Sequence, residues 1–273
     1  MKIFLTGSTG YIGSNLLRLF QKEGHDVFHS SRGTMISNNI SSFRPDVIVN
    51  CAAEIYDESK MFDSNFLLTR ALVKTGEGCG VKGFVQIGSS AEYGRVAKPI
   101  AETDLLNPRT MYEVTKATAS ILVNDSKLST IVARPFSVYG RNEPLRRFIP
   151  IVWDAYKNKK KLKVTPWVHD FIHIDDFTRG VMMCVQRVLD QPGHFAFNFG
   201  TGVQHSNPDV VRTFEKVLQE KIDWEPTQEP MRLHESDFWC CNTQYCKKEL
   251  DFQSEIDFET GIRMYIEQME LGK

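Results

Sequence analysis

The chain carries no excess charge of either sign. Its 33 lysines and arginines stand against 34 aspartates and glutamates, a formal net charge of −1 over 273 residues. This removes any general electrostatic reason to expect nucleic acid or an anionic membrane as a partner, so an anion that binds here binds locally. No stretch reaches the ~18 consecutive apolar residues of a membrane-spanning helix. The first residues read as a strand and a glycine turn rather than a charged region, an apolar segment and a cleavage site, and a cytoplasmic location is expected. The six cysteines, at 51, 79, 184, 240, 241 and 246, show neither regular pairing nor a C-x-x-C, which points to reduced structural thiols rather than disulfides or zinc. No repeat or low-complexity tract is present, and the one lysine run, KNKKKLK at 157–163, reads as a solvated surface.

What is present is alternation. Apolar runs such as KIFLTG, PDVIVNCAA, GFVQIGSS and STIVARPF alternate with helix-patterned stretches such as SNLLRLFQKEG, MFDSNFLLTRALVKTGEG and MYEVTKATASILVND. Strands without polar alternation are buried on both faces, so the order predicts an α/β fold with a doubly wound parallel (Rossmann) sheet. A 41% hydrophobic chain of this length can bury such a core. Residues 1–140 are expected to form the dinucleotide-binding domain. Residues 141–273 are expected to be mainly a smaller, interleaved C-terminal substrate lobe, with 170–200 returning to the sheet.

TGSTGYIG, at 6–13, places Gly7, Gly10 and Gly13 where the first strand turns into a helix. One glycine permits the tight turn, the next lets backbone approach a pyrophosphate, and the third lets helix pack on strand. Together with Thr9, Tyr11 and Ile12 they are expected to line a nicotinamide dinucleotide, whose phosphates meet the helix N-terminus. The second strand should end beside the adenosine ribose, where an acid would select NAD. Here the tip reads Ser30-Ser31-Arg32. An arginine suits a 2′-phosphate, so Ser31 and Arg32 predict NADP over NAD.

Tyr112 and Lys116, in MYEVTK, are four residues apart on a predicted helix and emerge on one face. A free phenol titrates near ~10. An ammonium about 4–5 Å away at an effective dielectric of 20 favours phenolate by on the order of 3 kcal/mol before desolvation opposes it. Such a tyrosine exchanges a proton with a sugar hydroxyl or carbonyl. GFVQIGSS ends in Ser89 and Ser90 at the same sheet edge, where a hydroxyl can steady the reacting oxygen.

With TGSTGYIG, the strand-ending serines and YEVTK in this order, followed by RPFSVYG, HDFIHIDD and NFGTG, the chain resembles the extended short-chain dehydrogenase/reductases. Within them it is most similar to the nucleotide-sugar epimerases, dehydratases and reductases. The resemblance implies that Tyr112 is the general acid/base, that Lys116 orients the nicotinamide ribose, and that Ser90 hydrogen-bonds the reacting oxygen. The loop SSAEYG is one residue shorter than the family's form, so Ser89 stays open as the alternative. The resemblance also implies cofactor contacts from Ala52, Ala53, Asn65 and Pro135, substrate contacts from Ser137 and Arg232, and a homodimer packed through the helices bearing Asn65 and Tyr112.

The pattern departs where dehydratases carry an aspartate–glutamate pair. This chain has Ala91-Glu92, which disfavours 4,6-dehydration and leaves Glu92 either as a substrate contact or as a solvated carboxylate. Ser137 replaces the usual asparagine and His169 the usual arginine. His169 and His173 have no third ligand near in sequence and read as polar contacts, not a metal site. Trp167 reads equally as a flank for the nucleotide base or as lobe packing. The leading expectation is NADPH-dependent reduction of a nucleotide-diphosphate 4-keto-sugar. A redox-neutral epimerase is the alternative, and a non-catalytic dinucleotide-binding sensor the third.

Overall fold

The computed structural model describes residues 1–30, 36–227 and 236–271. Through the first half it runs β1 (Lys2–Thr6), α1 (Tyr11–Lys22), β2 (Asp26–Ser30), α2 (Ile36–Phe43), β3 (Val47–Asn50), α3 (Glu58–Met61), a π-helical turn (Phe62–Leu67), α4 (Leu68–Cys79), β4 (Gly83–Ile87), α5 (Met111–Asn124) and β5 (Ser129–Pro135). Then follow β6 (Ser137–Tyr139), α6 (Phe148–Lys157), β7 (Leu162–Val164), β8 (Val168–His173), α7 (Ile174–Asp190) and β9 (His194–Phe199). The remainder is β10 (Gln204–Ser206), α8 (Asn207–Leu218), β11 (Trp224–Pro226), α9 (Gln244–Leu250) and α10 (Phe258–Glu270).

The doubly wound sheet read from the sequence is there, in the order β2-β1-β3-β4-β5-β9 with every pairing parallel. β3 and β4 are buried along their whole length, which is why their sequences lack polar alternation. The two-residue period of β1 divides its side chains between two cores. Ile3 and Leu5 pack with Leu16 of α1 and Phe177 of α7, while Phe4 packs on the other face with Leu72 of α4 and Val123 of α5. Fully burying a side chain of this size stabilises by about 1.5–3 kcal/mol, so each face depends on its helices.

Strand order reverses between β1 and β3, and a doubly wound sheet opens a crevice at the carboxyl ends of such strands. The chain then leaves the sheet at β6 and builds a second core, with Trp153 of α6, Phe214 of α8 and Tyr265 of α10 around Tyr139 and Phe171. It returns between those elements: α7 lies on β4 and β5, and β9 pairs along β5 from Thr130↔His194 to Pro135↔Phe199. In the lysine run, Lys160 pairs with Asp154 at 2.9 Å and Lys161 with Glu225 at 2.7 Å, all four side chains exposed. Among the described residues no helix is long and apolar enough to cross a membrane.

Candidate active site

The glycine turn stands at the β1–α1 junction. Gly7 has φ +68°, a left-handed conformation that side chains resist, and a Cβ there would lie 2.6 Å from the Ala52 backbone nitrogen at the end of β3. A Cβ on Gly13 would lie 2.1 Å from the Gly7 carbonyl oxygen, so α1 abuts the turn directly. Gly10 is exposed and begins α1 with no side-chain cap and no acid in the first turn, which leaves the helix N-terminus electropositive. The hydroxyl of Ser8 is buried there without a protein partner. Thr9 is exposed, and Tyr11 and Ile12 open the helix. Ala52 and Ala53 follow β3 alongside, and the Ala52 N–H donates to Thr6 Oγ1 at 3.3 Å. These residues fit a dinucleotide pyrophosphate.

α5 begins at a capping box in which Thr110 and Glu113 satisfy each other's backbone N–H. From there residues 112, 116 and 120 fall at four-residue intervals on the face turned to the end of β4. Tyr112 shares a side-chain hydrogen bond with Ser89. Lys116 Nζ donates to the Ile87 carbonyl at the last residue of β4. Ser120 Oγ donates to Glu92 Oε1 at 3.0 Å. One helical stripe therefore reads one strand-end turn.

Ser90 is buried at the start of the 3-10 turn Ser90–Tyr93, and Ser89, the alternative, caps that turn and pulls the Tyr112 phenol down. One expectation is corrected. Glu92 is neither at the substrate nor in solvent. It is wholly buried, its Oε1 accepts from the Ser89 N–H at 2.8 Å, and its Oε2 pairs with Arg134 Nε at 2.9 Å. The Asn65 amide is engaged within the protein. Within the π-helical turn its Oδ1 accepts from the Glu54 N–H at 2.7 Å, and its Nδ2 donates to the Glu54 carbonyl and to Thr115 Oγ1, both at 3.0 Å. Both of its amide protons are used inside the protein, so it fixes the loop after β3 against α5.

Burial raises the Tyr112 phenol above its ordinary value, and the Ser89 hydrogen bond and Arg147 oppose that rise. Lys116 is held at the Ile87 carbonyl, and burial pushes the lysine itself down, opposed by Glu92. Raised above its ordinary value, the phenol is protonated at neutral pH.

Pro135 ends β5, buried, opposite Phe199. Ser137 Oγ lies 3.2 Å from His169 Nδ1, and His173 caps α7 by accepting from the Asp175 N–H at 3.3 Å. Among the described residues no group of three or more His, Cys, Asp or Glu could hold a metal. Trp167 holds its indole N–H buried without a protein partner. Ser31, Arg32 and Arg232 lie outside the described residues.

Sequence reasoning did not single out Arg134, Glu143 or Arg147. Arg134 Nη1 donates to the Tyr93 hydroxyl at 2.9 Å, which in turn donates to Asn198 Oδ1 at 2.9 Å, tying β5 to β9 beneath the site. The S-x-x-E spacing of Ser89 and Glu92 is a capping-box signature that marks Glu92 as structural. Glu143 pairs with Arg147 at 3.1 Å within the irregular segment before α6, where no helical spacing signals it.

The profile of the NAD dependent epimerase/dehydratase family matches residues 3–200. CDP-abequose synthase of Yersinia pseudotuberculosis is 24% identical over 242 residues, covering 77% of this chain and 82% of that protein. UDP-glucose 4-epimerase of Bacillus subtilis is 26% identical over 285 residues, covering 82% and 84%. The solved structure of MoeE5 in complex with UDP-glucuronic acid and NAD shares the fold, with a TM-score of 0.90 at 20% identity over 100% of both chains. Since the matched segment spans the glycine turn, the strand-end serines and the tyrosine–lysine helix, the chain belongs to the NAD dependent epimerase/dehydratase family.

Proposed function

We propose that this protein is an NADP-dependent oxidoreductase that reduces a 4-keto group on a nucleotide-diphosphate sugar. The observation that carries the reading is the Tyr112 phenol, hydrogen-bonded to Ser89 and kept protonated by burial, on the helix that also brings Lys116 to the end of β4. When bound, a nicotinamide dinucleotide supplies the hydride. As the sugar carbonyl is reduced, Tyr112 Oη gives its proton to the carbonyl oxygen and Ser89 Oγ holds that oxygen in line. Lys116 offers N–H groups to a ribose hydroxyl, and its charge favours the phenolate left behind. Gly7, Gly10 and Gly13 seat the pyrophosphate, with Ala52, Ala53 and Pro135 lining the same cleft. Ser137 and Arg232 are proposed for the substrate side, and Ser31 and Arg32 for the 2′-phosphate.

Ala91, in place of an acid, weighs against dehydration. Epimerisation is the second reading, supported by the relative named UDP-glucose 4-epimerase. One experiment separates the two. For a reductase, purified protein loses nicotinamide absorbance on desalting and then consumes one NADPH per keto-sugar, with NADH a poorer donor. Absorbance that survives desalting, with inversion of a sugar and no net NADPH consumption, would falsify the reductive reading.

We also propose a homodimer through α5 and the turn before α4. Met111, Val114 and Ile121 are 45%, 42% and 61% exposed on the side of α5 away from Lys116, and α5 packs beside the turn that carries exposed Phe62 and Leu67. Such a contiguous apolar face marks an interface. Sedimentation should give a dimer for the native chain and a monomer for Ile121→Glu; a native monomer at micromolar concentration rejects it.

A further inference from the structure

Two consecutive arginines reach opposite lips of the crevice at the carboxyl edge of the sheet. The Arg147 guanidinium lies 5.8 Å from the ring centre of Tyr11, the residue that opens α1 beside the glycine turn. The Arg146 guanidinium lies 3.5 Å from the ring centre of Tyr56, in the loop that follows β3 just beyond Ala52 and Ala53. The segment between β6 and α6 thus joins the wall of the glycine turn to the wall of the alanines. It is a strap across the cleft that fits the dinucleotide pyrophosphate.

Its two ends are held differently. On the α1 side Glu143, 8% exposed, pairs with Arg147 Nε at 3.1 Å and accepts from the Gly140 N–H at 3.3 Å. The Arg147 N–H donates to the Pro144 carbonyl at 2.9 Å, and Asn15 Nδ2 of α1 donates to the Arg141 carbonyl at 3.1 Å. On the far side the loop that presents Tyr56 is itself firm, because Glu54 Oε1 accepts from the N–H groups of Ile55 and Tyr56 at 3.0 Å and of Asp57 at 3.3 Å. What joins loop to strap there is a guanidinium stacked on a ring, with Arg146 exposed and Tyr56 46% exposed. An exposed cation–π contact is weak, whereas breaking a buried ion pair is costly, so the strap opens at Tyr56.

We propose that the Arg146–Tyr56 contact is a latch on this strap, and that its opening sets the rate at which the dinucleotide enters and leaves. The inference rests on the glycine turn as the dinucleotide seat, and it applies to reduction and epimerisation alike. Opening takes a rotation of exposed side chains while the α1 end stays fixed. Because the latch joins the two lips rather than the ligand, it adds the same barrier to entry and to exit, and the dissociation constant is unaffected.

Stopped-flow fluorescence of the reduced dinucleotide that binds more tightly, NADPH or NADH, tests this on the full chain with no sugar present. Tyr56→Ala and Arg146→Met should each raise both the association and the release rate about two- to fivefold, the factor an exposed cation–π contact supplies, with Kd changed less than about twofold. The double variant should be no faster than either single one, since both remove the same contact. Tyr56→Phe, which keeps the ring, should match the wild type. Wild-type rates in Tyr56→Ala or Arg146→Met overturn the proposal, as do additive effects in the double variant. A raised Kd with an unchanged association rate overturns it too, because the two residues are then ordinary ligand contacts. A protein that turns over no keto-sugar fails the reductive reading without altering these rates.

Discussion

Tyr112→Phe should lower turnover by about 10²- to 10⁴-fold, the usual contribution of a positioned general acid, while leaving dinucleotide affinity within about threefold. The residue is half-buried, so the ring keeps its packing on α5 and only the hydroxyl is lost. Its neighbours at the strand-end turn help to hold that turn: Ser89 accepts from the Ala91 N–H at 3.2 Å and Lys116 donates to the Ile87 carbonyl. Because burial raises the phenol, a rate that needs its proton should decline on the alkaline side, as the phenol ionises. Steady-state kinetics with fluorescence titration of the dinucleotide checks both halves. Near-native kcat in the variant would remove Tyr112 from the chemistry.

The second large effect belongs to Glu92. Its side chain is 0% exposed and that of its partner Arg134 6%, and the pair lies between β5 and the Ser89 turn. Removing one member of a buried ion pair strands the other charge and costs about 3–5 kcal/mol. For Glu92→Gln we expect the lower end, about 3 kcal/mol, since the amide still accepts one hydrogen bond. At about 2–4 °C per kcal/mol for a chain of this size, melting falls by roughly 10 °C. Glu92→Gln combined with Arg134→Met should recover part of this loss, since no unpaired charge then remains. Urea unfolding of Glu92→Gln, Arg134→Met and the double variant measures it, and additive single effects would show that the two residues do not act as a pair. Turnover should fall as well, because the Ser89 N–H loses an anionic acceptor.

These residues also mark how far the sequence could be read. Strand-to-helix alternation and the glycine spacing are local patterns, and local patterns carry the sheet, the β1–α1 turn and the stripe of Tyr112 and Lys116. Glu92 was legible only in part. Its S-x-x-E cap is a short-range signal, but its partner Arg134 lies 42 residues away and meets it only because β4 and β5 pair in parallel. Asn65 shows the same limit. A π-helical turn directs its amide to the Glu54 backbone and Thr115, contacts that depend on how three segments pack. Ser89 against Ser90 turned on a single residue in loop length, which a strand-end count does not resolve.

The parallel edge formed by β9 against β5 bears on how the molecule is synthesised. A nascent chain holding only the first five sheet strands would present the whole length of β5 as an open hydrogen-bonding margin, attractive to any neighbouring polypeptide. Only when His194–Phe199 leaves the ribosome can that margin close, while α8 and α10 of the second core are still to come. The first five sheet strands are therefore not a separable cassette, and a gene cut after β5 would yield a sticky, unfinished sheet.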